Sequence, residues 1–89
     1  MSDGEGNTIP GAHARAVLDF LVKSVVENPD AVEINTNEGD EKVSFEVHVG
    51  DGDMGRVIGK RGRVANAIRT VVSAAAVRDE VRAEVDFAD

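Results

Sequence analysis

The 89-residue chain contains no cysteine, tryptophan or tyrosine, and only three phenylalanines. Without cysteine there is no disulfide and no thiolate metal centre, and redox chemistry assigns no compartment. Stability has to come from packing Val, Ile, Leu and Ala. Phe20, Phe45 and Phe87 are expected in that core rather than exposed as stacking platforms. Long hydrophobic runs are missing too. The longest stretch of small and apolar residues, "VVSAAAV" at 71–77, falls far short of the ~20 residues a helix needs to cross a bilayer. Met1 is followed by "SDGEGN", acidic and polar, with no apolar segment of a secretion signal. These absences predict a soluble, cytoplasmic chain with no membrane contact.

Catalytic machinery is equally sparse. Ser24, Ser44 and Ser73 have no nucleophile motif around them. His13 and His48 fall on different predicted elements without metal-ligand spacing, and His48 reads as a solvated or half-buried strand residue. The carboxylates are many but scattered. No reaction, metal site or cofactor is expected.

What is present is a single small domain, since this length cannot bury two cores. Residues 1–11, "MSDGEGNTIPG", offer too little apolar surface to order and read as a loose acidic tail, leaving 12–89 as the domain. Ala14, Val17, Leu18, Leu21 and Val25 recur at helical spacing over Ala12–Glu27, and Asn28-Pro29-Asp30 ends that helix. "AVEINT" (31–36) alternates as a short strand, "NEGDE" (37–41) is a turn, and "VSFEVHV" (43–49) alternates without fault. The two strands form an antiparallel hairpin. Asp53 is placed to cap a short helix over Met54–Ile58. Gly59 ends that helix and "KRG" turns the chain. A longer helix from Arg63 to about Val77 carries Val64, Ile68, Val71, Val72 and Ala75 at helical spacing. "VRAEVDF" (81–87) is a third strand. The order is α-β-β-α-α-β, an α+β fold with a three-stranded sheet against three helices.

"GDGDMG" (50–55) satisfies the G-x-G-x-x-G pattern of dinucleotide sites. Asp51 and Asp53 would set carboxylates against a pyrophosphate. The helix that should follow is also interrupted at Gly59–Gly62, so no simple β-α-β crossover is expected. A turn with a helix cap is the better reading. A Walker loop fails because Met54 stands at its first glycine and Arg61 follows Lys60.

Charge is the most uneven property of the chain. A formal net charge of -7 argues against nucleic acid. Yet Met54–Arg78 holds six basic residues and no acidic one, whereas the remainder holds four basic and seventeen acidic residues. Within the basic stretch, "VIGKRGR" (57–63) encloses Lys60 and Arg61 between Gly59 and Gly62. Glycines let a sugar-phosphate backbone approach the main chain. The helix beginning near Arg63 offers free N–H groups and its positive dipole end. Lys60 and Arg61 add charge with no carboxylate nearby in sequence. Val57, Ile58 and Val64 are candidates for an apolar wall.

This helix-GKRG-helix arrangement after a hairpin resembles the KH domain, in which a GXXG loop holds about four nucleotides by their backbone. The element order is similar to the type II, bacterial form. From Ala12 to Phe87 the chain resembles the small stand-alone bacterial KH proteins of the KhpA family, through "NPDAVEI" (28–34), "DMGRVIGKRGRVANAIRTVVSAAA" (53–76) and the closing strand. The resemblance implies a non-enzymatic protein that binds single-stranded RNA, a post-transcriptional regulator or RNA chaperone. It implies backbone contacts from Gly59, Lys60, Arg61 and Gly62, and peripheral phosphate contacts from Arg56, Arg63 and Arg69, with an Arg69–Asp86 ion pair as the alternative for the last. Ile58, Val64 and Ile68 stand as groove wall, or, for Ile68, as core. It also implies a homodimer, or a heterodimer with a larger KH-containing RNA-binding protein. "SAAA" (73–76) suits close helix approach to a partner or to this chain's own sheet. A dimerisation or scaffold module with secondary or no RNA binding is the alternative function.

Overall fold

Three strands form the sheet, and its middle strand is the one whose alternation is most regular. The computed structural model describes residues 11–88, the Lys60 side chain apart. Residues 1–10 of the expected acidic tail therefore lie outside the described residues. The elements are α1 (Ala12–Val25), a single 3-10 turn (Pro29–Ala31), β1 (Glu33–Gly39), β2 (Lys42–His48), α2 (Met54–Arg78) and β3 (Arg82–Ala88). The sheet order is β1-β2-β3. β1 pairs antiparallel with β2, closing through Asp40–Glu41, and Glu41 adopts a left-handed φ of 58°. β1 runs three residues beyond the predicted strand because Asn37 and Glu38 pair with Ser44 and Val43, zipping the hairpin to its tightest turn.

β3 pairs parallel with β2, in the register Phe45↔Val85. The connection between them is α2, so the crossover expected to fail does form. The helical run survives the glycines and carries the chain across the sheet. The dinucleotide reading of "GDGDMG" gains nothing from this, because the Asp51 carboxylate stays exposed on the turn and Asp53 ties that turn to the end of α1.

One face of the sheet receives both helices. Val43, Phe45 and Val47 of β2 meet Ala14, Leu18 and Val22 of α1, and Val57, Ala65, Ile68, Val72 and Ala76 of α2. Phe45 is buried and Phe87 packs partly against the core, but Phe20 is 69% exposed, contrary to expectation. The buried stripe of α1 is Ala14, Leu18, Val22, spaced by four. Position 20 falls midway between the last two and points to the opposite side.

Two carboxylates strap α1 against α2. Asp79, just past the end of α2, accepts the Ala14 backbone N–H at 3.0 Å, satisfying a donor in the first turn of α1 that has no helical partner. Asp53, just before α2, accepts the N–H groups of Glu27 (3.0 Å) and Asn28 (3.1 Å). Asp53 was expected to cap its own helix and makes no such bond; it is only 3% exposed and caps the exit of the other helix instead. That capture also explains why α1 stops at Val25 rather than Glu27. The straps fix the two helices antiparallel and hold the first turns of α2 in place.

Candidate functional site

The predicted joint between two helices lies inside α2. The helical run is unbroken in extent from Met54 to Arg78, yet its backbone turns left-handed at Arg61 (φ 64°) and Gly62 (φ 74°). The interruption thus falls two residues later than the glycine expected to cause it. Left-handed geometry is free for Gly62 but costs a residue with a Cβ about 1–2 kcal/mol. Arg61 is held in that strained form by helix on both sides. A helix that resumes after such a pair presents N–H groups lacking carbonyls in register behind them, which is where anions bind.

The two glycines of the loop serve different ends. Gly62 answers to backbone conformation. Gly59 does not adopt positive φ, and a Cβ built there would meet no atom within 4 Å. Neither conformation nor packing inside this chain calls for glycine at 59, although glycine weakens a helix by about 0.5–1 kcal/mol. Gly55, one turn earlier, is equally open. The face of α2 leading into the loop is therefore bare main chain, accessible from outside.

The predicted site residues divide by their partners. Arg61 and Arg63 are exposed, and among the described residues neither enters a salt bridge. Ile58 is 46% exposed beside them, a large apolar side chain at the rim of a cationic bend. Val64 is half-buried, and Val57 and Ile68 are core, which leaves Ile58 as the chief apolar surface at the loop. Arg56 sits elsewhere electrically: its guanidinium meets Glu27 at 3.0 Å and Asp53 at 3.3 Å. Arg69 donates from Nε to the Val85 carbonyl at 3.1 Å, and its guanidinium carbon lies 5.3 Å from the Phe87 ring centroid. Among the described residues it forms no salt bridge with Asp86, the alternative role expected of it.

Asn66, which sequence reasoning did not single out, also borders the loop. It stands one turn after Gly62, with its side-chain oxygen accepting from Arg69 Nη1 at 3.1 Å. The i, i+4 relation of Gly62 to Asn66 was the signal available. Elsewhere, "SAAA" splits: Ala75 and Ala76 are buried in this domain, while Ser73 and Ala74 face outward with Val71 and Val77. His48 is half-buried, its Nε2 lying 3.4 Å from a Glu46 carboxylate oxygen. No helix among the described residues is long and apolar enough to cross a membrane.

Comparison with known proteins shows the family of the chain. The family described as KhpA/KhpB, KH domain, matches residues 15–87. The chain is 48% identical over 71 residues to the RNA-binding protein KhpA of Caldanaerobacter subterraneus, an overlap of 80% of this chain and 95% of that one. The RNA-binding protein KhpA of Clostridium acetobutylicum is 43% identical over 73 residues, covering 82% and 97% of the two chains. That of Borreliella burgdorferi is 38% identical over 73 residues, covering 82% and 89%.

Proposed function

The chain belongs to the KhpA/KhpB KH-domain family, and from that premise we propose that it binds single-stranded RNA by the backbone, at the loop Gly59-Lys60-Arg61-Gly62. The observation that carries the reading is the left-handed pair Arg61–Gly62 beside the open face of Gly59, with exposed arginines at 61 and 63. Phosphates enter over the glycines and meet main-chain N–H groups; Lys60, Arg61 and Arg63 supply the opposing charge. Ile58 offers an apolar surface for a base. Arg56 and Arg69 are engaged inside the domain and serve the site by holding its frame. Most contacts are to backbone, so sequence demands on the RNA are few. The role that follows is that of a non-enzymatic regulator or chaperone of RNA.

Replacing Lys60 and Arg61 together by Asp tests this. The double variant should retain its circular dichroism spectrum and lose RNA binding by at least ~100-fold in a gel shift, because two attractions become repulsions next to phosphate. Binding unchanged in the folded variant would refute the assignment.

A second reading has its own observation. Val71 (46% exposed) and Val77 (72%) share the outer side of α2 with Ala74, an apolar surface that fits a pairing face for a second copy or a larger KH-containing protein. The same double variant separates the readings, since a scaffold would keep its partner when the loop is reversed in charge.

A further inference from the structure

We propose that Asn66 is a direct ligand of the RNA backbone and that Arg69 is the positioning residue that aims it; the inference rests on the reading of the loop given above. Asn66 lies four residues after Gly62, in the first turn of the resumed helix, with its side chain toward the glycine. A Cβ built on Gly62 would stand 3.9 Å from the Asn66 side-chain nitrogen. The amide therefore borders the space that the missing side chain leaves open.

The orientation of that amide is set from behind. An asparagine side chain has one accepting oxygen and two donating hydrogens. The oxygen is committed to Arg69 Nη1 at 3.1 Å. Arg69 is in turn tied to the last strand: its Nε donates to the Val85 carbonyl and its guanidinium carbon lies 5.3 Å from the Phe87 ring centroid. With the oxygen turned toward Arg69, the NH2 group is what faces Gly62, and among the described residues no acceptor takes its hydrogens. A pair of directed donors beside a residue without a side chain is suited to a phosphodiester oxygen. The tie from β3 through Arg69 to Asn66 thus makes the last strand a part of the loop's geometry, although it lies far from the loop in sequence.

A neutral donor has a signature that separates it from the lysine and arginines. Its loss weakens binding without releasing fewer counterions, so affinity falls while the salt slope stays. Loss of a cation lowers the slope by roughly 0.7 per phosphate contact. Fluorescence anisotropy with a labelled single-stranded RNA oligomer, over a salt series, supplies both readouts. Asn66→Ala should bind about fivefold more weakly with an unchanged slope. Asn66→Asp keeps an acceptor for Arg69 but turns a carboxylate toward phosphate, and should lose about thirtyfold or more. Arg69→Lys should cost about threefold in the parent and nothing in Asn66→Ala, because a positioning residue has nothing to position once the amide is gone.

If both Asn66 variants bind like the parent while the Lys60→Asp, Arg61→Asp variant has lost binding, this inference falls and the loop reading stands. If that double variant binds normally, the loop reading itself has failed. An equal cost of Arg69→Lys in both backgrounds would assign Arg69 to β3 alone and overturn its positioning role. Should a substitution unfold the domain, the side-chain amide resonances of Asn66 in the parent decide: they should shift on RNA titration, and their immobility overturns the proposal.

Discussion

Arg56 and Arg61 lie on the same helical run and carry the same guanidinium, yet their surroundings are opposite. Arg56 is bracketed by Glu27 and by the buried Asp53, on right-handed helix. Arg61 sits on left-handed backbone, exposed, with no salt bridge among the described residues. The first cation is paired within the domain, and the second is the one that the proposed reading assigns to RNA phosphate. On the proposed reading, this difference is how a protein of net charge -7 carries an anion site. Net charge governs long-range steering, which salt screens over roughly 8–10 Å. Contact with phosphate depends on which cations have no carboxylate at hand, and where the backbone allows approach.

Removing the internal side of this comparison should give the largest effect on stability. Asp53→Ala deletes the acceptor for two backbone N–H groups and for Arg56, all around a side chain that is nearly fully buried. Charge-assisted bonds of this sort contribute about 1.5–3 kcal/mol each and are not additive, so a loss of about 3 kcal/mol is expected, roughly 15 °C in Tm. RNA binding, measured at a temperature where the variant remains folded, should persist, because the loop cations are untouched. A thermal melt superimposed on the parent's would show that the strap is not what holds the exit of α1 to the start of α2.

The external side should respond with the opposite sign. Arg61→Gly relieves left-handed strain and removes a loop cation at once. It should stabilise the fold by about 1 kcal/mol while weakening RNA binding several-fold and reducing the salt slope by roughly 0.7. Chemical denaturation and a salt series measure the two terms separately. A glycine that destabilises the domain here would mean that Arg61 is held by contacts rather than tolerated at a cost.

How far the sequence foretells this arrangement depends on the range of the interactions involved. Strand β2 was legible because Val43, Phe45 and Val47 alternate against polar neighbours, a purely local period. The loop was legible because glycines and cations are concentrated in seven residues. Its exact joint was not: helix persisted through Gly59 and Lys60, since a lone glycine lowers helix stability without ending a helix already anchored in the core through Val57 and Ala65. The straps were invisible because Asp53 and Asp79 act on α1 from 25 and 65 residues away. Local capping rules assign Asp53 to its nearest helix, and tertiary packing assigned it to another. Arg69 follows the same logic, since only the crossover brings Val85 and Phe87 beside α2.

The smallest expected effect is the most discriminating for the comparison. Arg56→Ala removes a cation from the basic stretch, just as a loop substitution does, and by composition alone should weaken RNA binding. By partner it should not, because its charge is already opposed by Glu27 and Asp53. The pair with exposed Glu27 contributes about 0–1 kcal/mol, and buried Asp53 loses only one of its three partners, so the melt should move far less than in Asp53→Ala. Asp53 keeps its two backbone donors, and Glu27 returns to solvent. RNA affinity should stay within about twofold of the parent, with no change in salt slope, since no counterion is released at a residue that does not touch phosphate. A fall in slope on this substitution would mean that Arg56 leaves its carboxylates for RNA, and the division between structural and binding cations would then have to be drawn in the complex rather than in the free protein.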